Sequence, residues 1–342
     1  VSTPLLRDGA APLFRDREAA VANLSVLLWT STGWLASFAL MAASSAALNV
    51  LGTLLCLHTM ILAAYLVHEA VHQTLFAQPA ANRAAGESMS FIAGASYASF
   101  ERIRHMHIRH HLERVDLACF DFLGLMRRRP GLRRALQALE WAYVPATELL
   151  MHAQVVARPF FVDSQRRHRR RAAAMLVVRG ALLAALGWWS LKALALYFLA
   201  TLLFLHVLNF FDAFHHTFDQ FFVAPDQPVP PIERERGYEQ ANTYSNLISA
   251  RHPWLNLLTL NFGYHNAHHH RASLPWYRLP ALHRSLYGED NAAVMPLREL
   301  LRTWHRNRVS RVYAEGYGAP RQGADRADTF IGAHGVSFLT VI

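Results

Sequence analysis

Lysine is almost missing from this 342-residue chain. Lys192 is the single one, so the 34 basic residues are otherwise arginines, set against 24 acids. Charged residues make up only 17% of the chain and hydrophobic ones 53%, a balance that argues against an ordinary soluble domain, where about a quarter of residues are charged. Cysteine is equally scarce. Cys56 and Cys119 lie far apart with no CxxC pair, which excludes a disulfide framework and a thiolate metal site and leaves two structural thiols. No signal-peptide pattern is read: residues 1–23 are polar and arginine-bearing, and the apolar stretch after them is too long for an h-region. No nucleic-acid-binding module or basic face interleaved with aromatics is found. The formal charge of +10 is therefore read as loops beside a membrane and as a field for acidic partners, not as a nucleic-acid surface.

What the chain does have is long apolar runs separated by arginine clusters. Residues 24–67 carry no charge over about twice the ~20 residues that cross a bilayer, and residues 172–211 form a second run of the same kind, interrupted by Arg179 and Lys192. Each predicts two passes. The first turn is expected near residues 44–49, and the second at Trp188, Trp189 and Lys192, an aromatic and snorkelling cluster suited to a membrane surface. The expected fold is thus an all-α integral membrane protein with four transmembrane helices in two hairpins, at about 24–44, 48–67, 172–191 and 193–211. A helical cap would be formed by residues 68–171 and 212–314, with a loosely ordered tail over 315–342. The arginine runs at 127–134 and 166–171 fall on the side opposite the turns, which the positive-inside rule makes cytoplasmic, together with both termini, in what would be a bacterial inner membrane. Residues 88–100 and 135–157 are apolar but are read as interfacial helices or dips. Arg179 is expected either to reach back to the surface or to meet a buried partner.

Three histidine groups stand at the ends of these runs. His68 and His72 in HEAVH follow the second span at i,i+4, so a continuing helix presents both imidazoles on one face. His107, His110 and His111 form an HxxHH group in which adjacent histidines diverge by about 100°, allowing one helix to serve two neighbouring metals. His265, His268 and His269 repeat the device. Alone each is weak, but three on one side of the membrane offer eight imidazoles, more than one metal takes. His215 or His216, just after the fourth span, offers a ninth. Imidazole does not select the element. His105 and His270 flank the boxes as hydrogen-bonding partners, and His58, too far back along its helix to reach them, is read as packing against a neighbouring helix.

HEAVHQTLF, RIRHMHIRHHLERVD and GYHNAHHHRASLPWYRLP resemble the three boxes of the membrane fatty acid desaturase and hydroxylase superfamily, over roughly residues 67–283. The resemblance implies a pair of irons held by His68, His72, His107, His110, His111, His265, His268 and His269, with His216, or alternatively His215, as the extra ligand. The family's NxxxH element before the last box is not clear, since Asn209 is six residues from His215. Asp116, Asp212 and Asn266 would orient imidazoles, with Asp121 either doing the same or lying on the surface.

Breaking an unactivated C–H bond needs an oxidant that side chains cannot supply, and zinc is redox-inert, so O₂ activated at iron is implied. The implied reaction is fatty acyl desaturation, with hydroxylation of an acyl, alkane, terpenoid or carotenoid substrate as the alternative. The two differ in whether the carbon radical loses a second hydrogen or gains oxygen. A histidine-rich metal transporter is the non-enzyme alternative, and a zinc protease using Glu69 a further one. The expected partners are a lipid-like substrate, membrane lipids and a separate electron donor of ferredoxin, rubredoxin or cytochrome type, because no haem, iron–sulfur or flavin fingerprint is found in these residues.

Overall fold

A computed structural model describes residues 12–118, 120–222, 234–288, 294–321, 325–333, 337, 339 and 340. Cys119 and the proline-rich stretch at 225–231 lie outside the described residues. The first apolar run folds as α1 (Arg17–Ala42) and α2 (Ala46–Val71), the second as α8 (Arg169–Trp189) and α9 (Leu191–Ala213). These runs supply the four helices, among the described residues, that are long and apolar enough to cross a membrane. Helix is the conformation such runs must take, because lipid offers no partner to an open backbone N–H or C=O.

Each turn satisfies its own chain ends. Asn49 donates through Nδ2 to the carbonyls of Leu40 (3.0 Å), Met41 (3.0 Å) and Ala43 (2.8 Å), closing the end of α1. Ser190 caps α9 by accepting the Ala193 N–H at 3.1 Å. Lys192 then donates to the Ala43 carbonyl, so the two turns are tied together. The helices of the first hairpin approach closely at Gly52, where a Cβ would stand 2.8 Å from both Leu40 Cβ and the Met41 nitrogen. Replacing Asn49 by leucine removes three hydrogen bonds at the hairpin. The expected cost is about 1–3 kcal/mol, read as a lower melting temperature in detergent with the helical circular dichroism unchanged.

Between the hairpins run α3 (Pro79–Ile92), α4 (Phe100–Glu113), a three-residue strand β1 (Asp116–Ala118), α5 (Phe122–Arg128), α6 (Pro130–Trp141) and α7 (Ala146–Phe161). Arg179 meets its partner at the end of α3. It donates to the Phe91 carbonyl and to Ser96 Oγ at 3.2 Å, and its guanidinium lies 4.7 Å from the centre of the Phe91 ring. Asp121 caps α5, accepting the Gly124 N–H at 2.6 Å and pairing with Arg128 at 3.2 Å, and so serves no imidazole hydrogen bond.

After α9 come β2 (Gln220–Phe222), α10 (Arg236–Ala241), α11 (His265–His270), α12 (Leu279–Tyr287) and α13 (Leu297–Asn307). The strand β2 pairs in parallel with β1, Asp116 opposite Gln220, and stitches the two halves of the cap together beside box two. The tail differs from expectation. Ala327, Phe330, Ala333 and Leu339 are buried to within 1%. Thr303 Oγ1 donates to the Phe330 carbonyl at 2.9 Å, and the Ala333 N–H to the Ala213 carbonyl at 2.7 Å. Its few apolar side chains, diluted among Gly and Ala, cover the end of α9 and the flank of α13, which composition alone does not reveal.

Candidate metal centre

Helix α2 continues beyond its apolar part and ends at Val71, with His68 in its last turn and His72 at its C-cap. Both rings sit at the end of the span remote from the turn at Ala43. Helix α4 starts where Ser99 accepts the Arg102 N–H at 3.3 Å and stops where Arg114 turns left-handed (φ 51°). Its 3.6-residue period sends His107, His110 and His111 inward. Helix α11 has only six residues, yet all but His270 are buried. It can lie this close because Gly263 precedes it: a Cβ there would stand 2.8 Å from the Asn246 carbonyl oxygen.

The imidazoles converge on one another through Nε2. His107 Nε2 lies 2.9 Å from His72 Nε2 and 3.1 Å from His111 Nε2, and His111 Nε2 lies 3.1 Å from His268 Nε2. With His68 these make a group whose ligand atoms are all within 4.8 Å of one another. His110, His216 and His269 make a second group by the same measure. His216 Nε2 is 2.9 Å from His269 Nε2 and 3.0 Å from His265 Nε2, which adds His265 to the second group. Two nitrogens bound side by side to one first-row metal at about 2.0–2.1 Å stand about 3 Å apart. The spacings fit that arrangement.

The other ring nitrogens decide which lone pairs are free. His110 Nδ1 is 2.8 Å from the Val115 carbonyl oxygen, and His269 Nδ1 is 2.9 Å from Glu239 Oε1. Both acceptors require an Nδ1–H, so each Nε2 carries the lone pair. Asp116 Oδ1 stands 3.6 Å from Nδ1 of both His110 and His216. His215 is fixed the opposite way. Its Nε2 meets Asn246 Oδ1 at 2.8 Å, and Asn246 is oriented by donating its Nδ2 to the Phe211 carbonyl at 3.1 Å. His215 thus spends its Nε2–H on an amide and stacks flat on His265, centroids 3.9 Å apart.

Burial is the main reason the imidazoles outside the spans stay neutral. It lowers His107, His111, His216, His265, His268 and His269, with neighbouring imidazoles adding to the effect at most of them, and it lowers His72 and His110 to about 3. Neutral imidazole is the form that ligates. Burial likewise pushes the Asp116 carboxyl up to about 8, with Asp212 adding to it. At Glu239 burial works upward too, but His269 and Arg114 outweigh it and hold the carboxyl below its usual value. A cluster of converging lone pairs edged by one carboxylate is a site for cations.

The remaining expected partners do different work. Asn266 makes no imidazole hydrogen bond; it accepts from Ser245 Oγ at 3.1 Å and donates to the Thr243 carbonyl, fixing α11 on its neighbouring chain. Asp212 lines a cavity beside the second group and hydrogen-bonds Ser337. His58 packs against α1, accepting from Trp29 Nε1 at 3.4 Å. Glu69 accepts from Thr74 Oγ1 at 2.6 Å and from the Trp276 N–H at 3.1 Å, tying box one to the segment after box three. Glu239 and Asn246 were not legible beforehand, because neither stands at a recognisable spacing from a box. Glu239→Gln removes the charge that holds His269 and Arg114. The expected outcome is a loss of about 10–100-fold in metal affinity or turnover, measured by competition with a chelator.

Residues 44–300 match the profile of the fatty acid desaturase family. The chain belongs to that family. A relative, a sphingolipid delta(4)-desaturase of Candida albicans, is 26% identical over 228 residues, which is 64% of this chain and 56% of the relative. This family member therefore spans little more than half the length of the curated relative it matches. All three boxes, His215 and His216 fall inside the matched region.

Proposed function

We propose that the protein is a membrane oxidoreductase that uses O₂ to oxidise an unactivated C–H bond of a lipid-like acyl chain at a histidine-held pair of irons. Fatty acyl desaturation is the leading reaction and hydroxylation the alternative. The observation that carries the reading is the convergence of nine imidazoles into two adjoining groups. Family membership adds lipid desaturation or oxidation in general.

In this reading His68, His72, His107, His111 and His268 hold one iron, and His110, His216, His265 and His269 the other. Bound iron would supply the O₂-activating redox chemistry that side chains lack. The chain itself does the rest. Val115, Glu239 and Asp116 face the Nδ1 atoms and keep the Nε2 lone pairs aimed inward, and burial keeps the imidazoles unprotonated. The cap closes over the ends of α2 and α9 and excludes bulk water, while the spans offer an apolar path to an acyl chain.

A separate ferredoxin-, rubredoxin- or cytochrome-type donor would dock on the arginine-rich side, which the positive-inside rule places in the cytoplasm. A metal transporter fits less well, since such proteins bind their cargo near the bilayer midplane and the histidines here cluster at span ends. The test is iron quantitation with mass spectrometry of lipids after expression in a host with a labelled lipid pool. About two irons per chain and a loss of two mass units in a lipid support desaturation, and a gain of sixteen supports hydroxylation. One zinc per chain with unchanged lipids overturns the reading.

A further inference from the structure

Desaturation and hydroxylation share a requirement that rests on the function proposed above. In desaturation, R–CH₂–CH₂–R′, O₂, two electrons and two protons become R–CH=CH–R′ and two waters. In hydroxylation, R–H, O₂, two electrons and two protons become R–OH and one water. In either case two protons must come from water to a buried centre, while the acyl chain and the spans keep water out.

Beside the second histidine group lies a cavity of about 60 Å³, room for about four to six waters at ~10–15 Å³ each. Its lining is oddly polar for a chamber next to an acyl-chain site: Asp212, Asp116 and Ser337 share it with Phe262, His215 and His265. Three buried oxygens in this region lack a protein partner, Asp212 Oδ2, Asp116 Oδ2 and the hydroxyl of Tyr65. Tyr65, on α2, stacks on Phe262 of the cavity lining with centroids 4.3 Å apart. Buried oxygens of this kind cost about 1–3 kcal/mol each unless water satisfies them, and the two aspartates line a water-sized cavity.

We propose that Asp212 is the proton-delivery residue of the site, passing protons through waters in this cavity to the second histidine group. The proton moves from Asp212 Oδ2 to a cavity water as that water gives one up toward the centre, and a proton from solvent replaces it, so no charge accumulates.

The test uses the full iron-loaded protein, reduced with dithionite and mixed with O₂ in H₂O and in D₂O. Asp212→Asn is expected to bind wild-type iron, to reoxidise about tenfold more slowly and to show a larger solvent isotope effect. That is below the ~10²–10⁴-fold typical of a positioned acid, because the cavity waters remain. Asp212→Glu should restore both. Infrared spectra of the metal-free protein should carry a D₂O-sensitive protonated-carboxyl band that Asp212→Asn removes. Unchanged rate and isotope effect in Asp212→Asn overturns the proposal, as does loss of iron that Asp212→Glu fails to restore. A wild type that binds no iron sinks the function proposed above, while the infrared band still decides the state of Asp212.

Discussion

The His111→Ala variant is expected to be inactive and to hold at most half the iron of the wild type. His111 stands between the two groups: its Nε2 is 3.1 Å from those of His107 and His268, and it also forms a set with His269 and the Glu239 carboxylate whose ligand atoms lie within 4.8 Å of one another. Removing that ring deprives the first group of a lone pair at its middle and leaves the second without its neighbour. The fall in product should exceed the ~100-fold that losing an outer hydrogen-bonding partner produces, since a site with one iron cannot share the two-electron chemistry. Circular dichroism should stay at the wild-type helical signal, because His111 is only partly buried and makes no backbone hydrogen bond through its ring. Full iron content with full turnover in His111→Ala would remove it from the ligand set.

The spans and the boxes were legible for one physical reason: both are written locally. An uncharged run of residues 24–67 can satisfy its backbone in lipid only as helix, and i,i+3,i+4 spacing places His107, His110 and His111 on one side of any helix that carries them. The turns were legible in the same way, and Lys192 and Asn49 are found at them. What was not legible depends on contacts between distant segments. Glu239 reaches His269 from thirty residues away, and its sequence neighbours give no spacing signal. Asn246 lies 31 residues from His215, and its amide decides which nitrogen that ring offers. Arg179 looked misplaced within a span until α3 brought the Phe91 carbonyl and Ser96 to it. Asp212, which the resemblance implied would orient an imidazole, lines the cavity beside the second group and hydrogen-bonds Ser337, a residue more than a hundred positions away. The tail looked loose by composition, yet a handful of buried apolar side chains suffices to hold it.

Adjacent histidines with opposite tautomers give the sharpest test of the ninth ligand. His216→Ala should lose iron from the second group and fall in turnover by more than ~100-fold, because its Nε2 stands 2.9 Å from that of His269 and 3.0 Å from that of His265. His215→Gln should behave differently. A glutamine amide N–H can still donate to Asn246 Oδ1, and the only group lost is the ring stacked on His265. Iron content is then expected to match the wild type, with turnover reduced by no more than about tenfold through a less firmly held His265. If the order is reversed, with iron lost from His215→Gln and kept in His216→Ala, the Asn246 hydrogen bond does not survive metal binding and the two rings have exchanged roles. The geometry argues against that exchange. Turning His215 inward would leave Asn246 Oδ1 without its donor in a fully buried site, a cost of about 1–3 kcal/mol, while His216 already points its lone pair at the cluster with Asp116 behind its Nδ1.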